Sequence, residues 1–267
     1  MSDASPPPPD LYDEANDPFG TGDTWEYALD YWPTEIRNAA ALAAALALSR
    51  AMIAWRDGGP PAPLDIIKEA LNASNAELCR TAVGTLPRVI HAREHPYDTL
   101  ISLWESVRAP ARAAMAWRAS MICQNLTEAE QLDFRTRGLR DRSKVVRGHA
   151  ASNAGTSLFA PALPLLQDIA ANDPDKCVRG DAELARDLID HGYHILKDDD
   201  DSDCVSFVVL SHTCLGIGTC YVGVSRAEVD RIGLEAAIAR KKEEIDEESR
   251  DFDRFVESWS EGDEAPD

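Results

Sequence analysis

Four short segments of this chain share one pattern: an apolar residue, an arginine, two variable residues and a second apolar residue. They read Cys79-Arg80-Thr81-Ala82-Val83, Ala111-Arg112-Ala113-Ala114-Met115, Val146-Arg147-Gly148-His149-Ala150 and Val178-Arg179-Gly180-Asp181-Ala182. Their arginines stand 32, 35 and 32 residues apart (80 to 112, 112 to 147, 147 to 179). A period of that length marks a repeat architecture and constrains the fold more than composition does. Between successive copies lies a second apolar-striped segment, at 96–107, 127–139 and 159–171. Each unit is therefore expected to be two helices, apolar on one side, whose exposed stripe needs the next unit as cover.

Helix-end signals agree with these boundaries. Thr127-Glu128-Ala129-Glu130 has the capping-box pattern, in which hydroxyl and carboxylate satisfy amide donors at a helix start. Asp173-Pro174 places a capping oxygen before a proline in the first turn, where the missing N–H costs nothing, and Pro110 stands likewise before Arg112. Upstream, Thr34–Trp55 is rich in Ala and Leu and apolar on nearly every face, which predicts a heavily buried helix. Asp57-Gly58-Gly59-Pro60-Pro61 ends it, and Leu64–Leu71 is the next helix.

The run Asn172-Asp173-Pro174-Asp175-Lys176-Cys177-Val178-Arg179-Gly180-Asp181-Ala182 resembles the inter-repeat segment of HEAT repeats, where a helix ends, an Asp-Pro turns and the next helix begins with Val-Arg. Residues 142–147 are a weaker copy without the Asp-Pro pair, and the Arg80 and Arg112 copies keep only the arginine and apolar positions. The resemblance spans roughly 76–190, with the 34–75 helices as an atypical capping unit. It implies a right-handed α-solenoid with one concave surface that holds another protein. It also implies that Arg80, Arg112, Arg147 and Arg179 are structural, pairing with turn aspartates of adjacent repeats. HEAT-like repeats also occur in phycobiliprotein lyases and DNA glycosylases, so an enzyme on such a scaffold and a DNA-binding or repair protein are the alternative expectations.

After Leu196 the pattern changes. A polar break at 197–203 precedes two β-branched and aromatic runs, 205–210 and 219–224, which read as strands joined by a loop at 211–218. A lone hairpin is marginal in water, so it is expected to lie on the last helices as a terminal cap. Ser225-Arg226-Ala227-Glu228 is a second capping box, opening a helix with Val229, Ile232, Ala236 and Ile238 on its apolar side. Beyond Lys242 the residues Ile245, Phe252, Phe255, Val256 and Trp259 continue at mostly helical spacing in acidic surroundings, either docking on the body or folding on a partner. The expected fold is mainly α: a right-handed α-solenoid of HEAT-like helix pairs with a small C-terminal β-hairpin and a terminal helix. Its divisions are an acidic, aromatic-containing, partly disordered arm (1–33), the repeat body (34–196), the hairpin and capping helix (197–242) and an acidic helix or tail (243–267).

Charge points to partners. The 267 residues hold 47 acids and 27 Lys+Arg, a formal charge of -20. Residues 1–33 hold only acids, residues 243–267 hold acids against Arg250 and Arg254 alone, and the stretch 34–196 is neutral. That distribution disfavours nucleic acid and membrane surfaces and favours a basic protein, neutralised as an immunity protein neutralises a nuclease. One strip runs against the trend: Arg135, Arg137, Arg140, Arg142, Lys144 and Arg147 face Asp141 alone. The candidate partner contacts are Arg137, Arg140, Arg142 and Lys144 with the aromatics Trp25, Trp32, Trp104 and Trp117. The aromatics of the arm, including Trp25, Tyr27, Tyr31 and Trp32, either pack on the first helices or form a linear recognition segment.

No signature of chemistry accompanies these features. Gly-x-Ser-x-Gly, a phosphate loop and a paired-Gly fingerprint are all missing, so neither a catalytic residue nor a cofactor site is assigned. His191, His194, Cys204, His212, Cys214 and Cys220 invite a zinc reading, but no CxxC is present and no metal site is assigned. The acids of 198–203 lack the order of an EF-hand loop. No run of about 18 apolar residues is without a charge, and the N-terminus is neither basic nor apolar. The expectation is a cytoplasmic protein with reduced thiols.

Overall fold

A computed structural model of the chain describes residues 24–196, 203–213 and 216–260. Among these residues the chain is mainly helical, with thirteen α-helices and one three-stranded antiparallel sheet. Packing divides it into two compact units, one ending at His149 and the other beginning at Ala150. The proline lead, most of the 197–203 polar break and the last seven residues lie outside the described residues.

The first unit opens with α1 (Thr24–Glu35) and α2 (Ala39–Arg56). Helix α1 carries Pro33 in its last turn, and the chain breaks after it instead of at the proline. Asn38 then caps α2, its side chain accepting from the Ala41 amide at 3.0 Å. Trp25, Ala28 and Trp32 are buried, and the Trp32 indole N–H donates to Ser49 Oγ at 3.2 Å. The Trp32 ring thus packs on the next helix, and the Tyr31 hydroxyl donates to Glu77 Oε1 at 2.9 Å. Helix α2 is less buried than its composition suggests: Ala41, Ala44, Ala45, Leu48, Ser49 and Met52 form one inward stripe, about 33% of its length. It is the one described helix long and apolar enough to cross a membrane. Gly58, at φ 88°, turns the chain out of α2 where an L side chain would be strained.

Helices α3 (Leu64–Asn72), α4 (Ala76–His91), α5 (Pro96–Ser106), α6 (Ala109–Trp117), the short α7 (Ala119–Ile122) and α8 (Glu128–Leu139) follow. Each packs on its chain neighbour or on the helix two places away, as α2 does on α4, α4 on α6 and α6 on α8. The capping box forms as expected: Thr127 N–H donates to Glu130 Oε2 at 2.9 Å and the Glu130 amide donates to Thr127 Oγ1 at 3.4 Å. Helix α9 (Lys144–Thr156) carries the chain past the division.

His91, at the end of α4, is half-buried, and its Nε2 has no hydrogen-bond partner among the described residues. Burial holds its pKa below the ordinary value. The unfolded chain therefore takes up this proton first, so stability falls as pH drops through about 6.5. We expect urea midpoints to decline between pH 7 and 5.5, and the decline to be smaller in His91→Gln.

In the second unit a 3-10 turn (Ala160–Ala162) leads into α10 (Leu163–Asn172), packed on α11 (Lys176–His191). The α11 cap is Asp175, whose Oδ1 accepts from the Cys177 and Val178 amides at 2.9 and 3.4 Å, rather than Asp173. Gly155 makes close packing of α9 on α11 feasible, since a Cβ there would lie 2.7 Å from Ala185 Cα. Gly192, at φ 78°, ends α11 and reverses the chain into β1 (Tyr193–Ile195).

Strands β2 (Cys204–Thr213) and β3 (Gly216–Ser225) pair antiparallel throughout, and β1 pairs with β2 on the other side. The hairpin is longer than its sequence signal, with register running from Cys204↔Ser225 to Thr213↔Gly216. Gly233 (φ 85°) separates α12 (Arg226–Ile232) from α13 (Leu234–Ser260). The first half of α13 lies on the sheet, where Ala237 and Ile238 join Val205, Phe207, Val209 and Val224 in one core. The sheet therefore carries its own helix, and Phe252, Phe255, Val256 and Trp259 lie beyond the side chains described.

Candidate functional site

The repeat signature builds a local clasp that recurs in both units. In the turn before α9, Asp141 Oδ1 accepts from the Ser143 amide at 2.8 Å, and Arg147 Nη1 donates to the Asp141 carbonyl at 2.9 Å. In the turn before α11, Asp173 Oδ1 accepts from the Asp175 amide at 2.9 Å, and Arg179 Nη1 donates to the Asp173 carbonyl at 2.7 Å. The two aspartates stand 32 residues apart, as do the two arginines. Asp141 is thus the counterpart of Asp173 with Arg142 where proline stands in the other copy. Its signal in the sequence was its offset of six residues from Arg147.

Asp141 has a second duty. Arg112, near the start of α6, is buried and donates through Nε to Asp141 Oδ2 at 2.7 Å and through Nη2 to Oδ1 at 3.3 Å. Its Nη1 donates to the Val107 carbonyl at 2.7 Å. The pair is bidentate, with side chains only 10% and 7% exposed. The guanidinium carbon stands 6.0 Å from the Trp104 ring centre, and Trp104 meets Phe134 edge-on at 5.1 Å. Arg80 departs from this role: its side chain is exposed, and Ser74 occupies the position of the turn aspartate.

Above this pair lies an open cleft of about 580 Å³, lined by Trp104, Glu105, Arg112, Asp133, Thr136, Arg137, Arg140, Asp141 and Arg142. Arg137 Nε donates to Asp133 Oδ2 at 2.8 Å and its Nη1 reaches Glu105 at 3.4 Å. The Tyr97 hydroxyl also donates to Asp133. That hydrogen bond and the one from Arg137 hold the Asp133 carboxyl below its ordinary range. Burial, then the bond to Asp133, pushes the Tyr97 phenol up to about 12.

Arg140 and Arg142 differ from the other cations of the cleft. Both are exposed, and neither side chain makes a hydrogen bond or ion pair among the described residues. Every carboxylate of the cleft already has a cation, so these two guanidiniums are its uncommitted charge. The cleft lining thus sets four arginines, Arg112, Arg137, Arg140 and Arg142, against the three carboxylates of Glu105, Asp133 and Asp141.

The other sequence candidates are dispersed. Lys144 is exposed at the start of α9. Trp117 is 51% exposed and meets His149 edge-on at 5.5 Å. Trp25, Trp32 and Trp104 are buried, the first two in the packing of α1 and the third with an edge in the wall of the cleft. Composition gave no means of separating these three from Trp117. Of the zinc candidates, His194 Nδ1 lies 2.7 Å from Asp187 Oδ2, while Cys204 is exposed and Cys220 half-buried. No group of three metal-ligating side chains forms among the described residues; the side chains of His212 and Cys214 lie outside them.

None of the five described cysteines is in a disulfide. Burial raises the Cys79 and Cys123 thiols, the latter to about 12, whereas Cys177 and Cys204 are exposed. Maleimide is expected to modify Cys177 and Cys204 in the native protein and to spare Cys79 and Cys123 until denaturant is added, as peptide mass spectrometry would read. Compared with known proteins, the chain matches no family model, no curated protein and no solved structure.

Proposed function

We propose that the chain is a non-catalytic protein-interaction module, its helix pairs arranged as a HEAT-like right-handed solenoid and its cleft receiving an acidic segment of a partner protein. The observation that carries this reading is the division of labour among the cleft's arginines. Arg112 and Arg137 are committed to Asp141, Asp133 and Glu105, while Arg140 and Arg142 are exposed to solvent. The recurring Asp–Arg clasp and the stepwise packing of α2, α4, α6 and α8 support the repeat architecture.

A second reading, a basic partner neutralised as by an immunity protein, is favoured by the outer face of α13. Glu243, Glu247 and Asp251 are exposed there at intervals of four residues, opposite the face that packs on the sheet. Matched baits separate the two. Wild type, Arg140→Glu/Arg142→Glu and Glu243→Lys/Glu247→Lys/Asp251→Lys are compared for captured proteins at low and physiological salt. Loss of the same partner from the arginine variant alone supports the cleft, and loss from the α13 variant alone supports the basic partner. A partner retained by both variants contradicts both readings. The DNA alternative requires duplex affinity that falls steeply with salt and is lost in the arginine variant.

A further inference from the structure

The second unit carries an open sheet edge, and its hydrogen-bonding direction can be worked out residue by residue. The Leu196 amide donates to the Ser206 carbonyl at 2.9 Å, so even-numbered residues of β2 turn their backbone groups toward β1. Odd-numbered residues of β2 therefore face β3, consistent with the Arg226 amide donating to the Asp203 carbonyl at 2.9 Å. Through the register Val205↔Val224, Phe207↔Val222 and Val209↔Cys220, residues 220, 222 and 224 of β3 point back at β2. The N–H and C=O of Thr219, Tyr221 and Gly223 point out of the sheet. None of these residues has a hydrogen bond to a described residue on that side.

This edge lacks the usual protections. Gly-Ile-Gly-Thr-Cys-Tyr-Val-Gly-Val-Ser holds no charge and no proline across ten residues, in a chain of formal charge -20. Charged side chains, proline or a very short strand are what ordinarily keep an edge from pairing. The opposite edge, β1, is three residues long and has that last protection. The side chains of Thr219 and Tyr221 also face away from α13, where Cys220, Val222 and Val224 pack, and Tyr221 is 72% exposed.

We infer that β3 is an association surface for a second copy of this chain, the two β3 strands pairing antiparallel across a two-fold axis at Tyr221. An identical strand supplies the matching donors and acceptors: Thr219 falls opposite Gly223 of the second copy, Gly223 opposite its Thr219, and the two Tyr221 residues face one another. Every outward group then finds its partner, as isologous contacts require, and the two exposed rings cover each other as a cross-strand aromatic pair. No charged residue of either strand meets a like charge at the seam. This inference is independent of the cleft.

The test is the mass of the full chain in solution, by sedimentation, over a concentration series reaching about 100 µM and at low and high salt. Wild type is expected at two chain masses. Association should strengthen with salt, because two copies of charge -20 repel. Thr219→Pro removes an outward N–H without touching a bond to β2, a placement proline tolerates on edge strands. It is expected at one chain mass with an unchanged circular dichroism spectrum. Tyr221→Lys, which sets like charges face to face, gives the same answer if the proline variant fails to fold. Directly opposed residues lie about 5.5 Å apart at Cα, within disulfide reach. Tyr221→Cys should therefore crosslink on oxidation beyond the wild-type background, and Thr219→Cys should not. Wild type at one chain mass throughout, a dimer surviving both edge variants, or Thr219→Cys crosslinking as readily as Tyr221→Cys would overturn the inference.

Discussion

Asp141→Ala is expected to cost about 3–5 kcal/mol of folding stability, the range for stripping one partner from a buried ion pair. The substitution removes both carboxylate oxygens from Arg112, leaving a guanidinium that is 10% exposed with only the Val107 carbonyl and the face of Trp104 for company. It also undoes the turn at Ser143 that starts α9. Most of the loss reflects the stranded charge rather than the net worth of the pair. The double variant Arg112→Met/Asp141→Leu should therefore recover a large part of it, since apolar replacement of both partners is often close to neutral. Chemical denaturation of the two single variants and the double variant reads this directly. A double variant no better than Asp141→Ala would mean that the turn geometry, and not the buried charge, carries the cost.

Phe207→Ala is expected to cost about 3–5 kcal/mol as well, by removing a fully buried ring and leaving a cavity. Phe207 lies in β2, paired with Ile195 of β1 and Val222 of β3. It packs in the core that contains Ala237 and Ile238 of α13. If sheet and helix form one folded body, the loss appears in both the strand and the helix signals and at the same denaturant concentration. Glu243→Ala, on the exposed face of α13, is the control and should change stability by no more than about 0.5 kcal/mol. A Phe207→Ala variant within that margin would mean the hairpin packs less tightly than its burial implies.

How far the sequence foretold these features depends on how local each one is. The arginine period located α4, α6, α9 and α11 because their arginines fall in the opening turns or first half of helices whose apolar stripes repeat with the chain. The capping box at Thr127 was legible because three residues decide it. The strands were read from β-branched runs, though their full length was set by pairing, which the sequence does not display. Strand β1 was invisible: Tyr193-His194-Ile195 is too short to show alternation, and only Gly192 marked the reversal. At the cleft, the basic strip could be counted, but not that Arg137 is occupied by Asp133 and by Glu105, 32 residues earlier. Nor could the strip show that Arg112 crosses 29 residues to Asp141. Long-range pairing decided which arginines are structural and which are left exposed.

That distinction is tested most directly by titrating a glutamate-rich peptide into wild type and into Arg140→Glu/Arg142→Glu, with thermal midpoints recorded on the same samples. Wild type is expected to bind measurably, more weakly as salt is raised, and the variant with affinity at least about tenfold lower, equivalent to about 1.4 kcal/mol. The variant's midpoint should be close to that of wild type, because neither arginine holds the fold together. Equal affinity in the two proteins, or a variant that loses its midpoint along with its binding, would contradict that distinction.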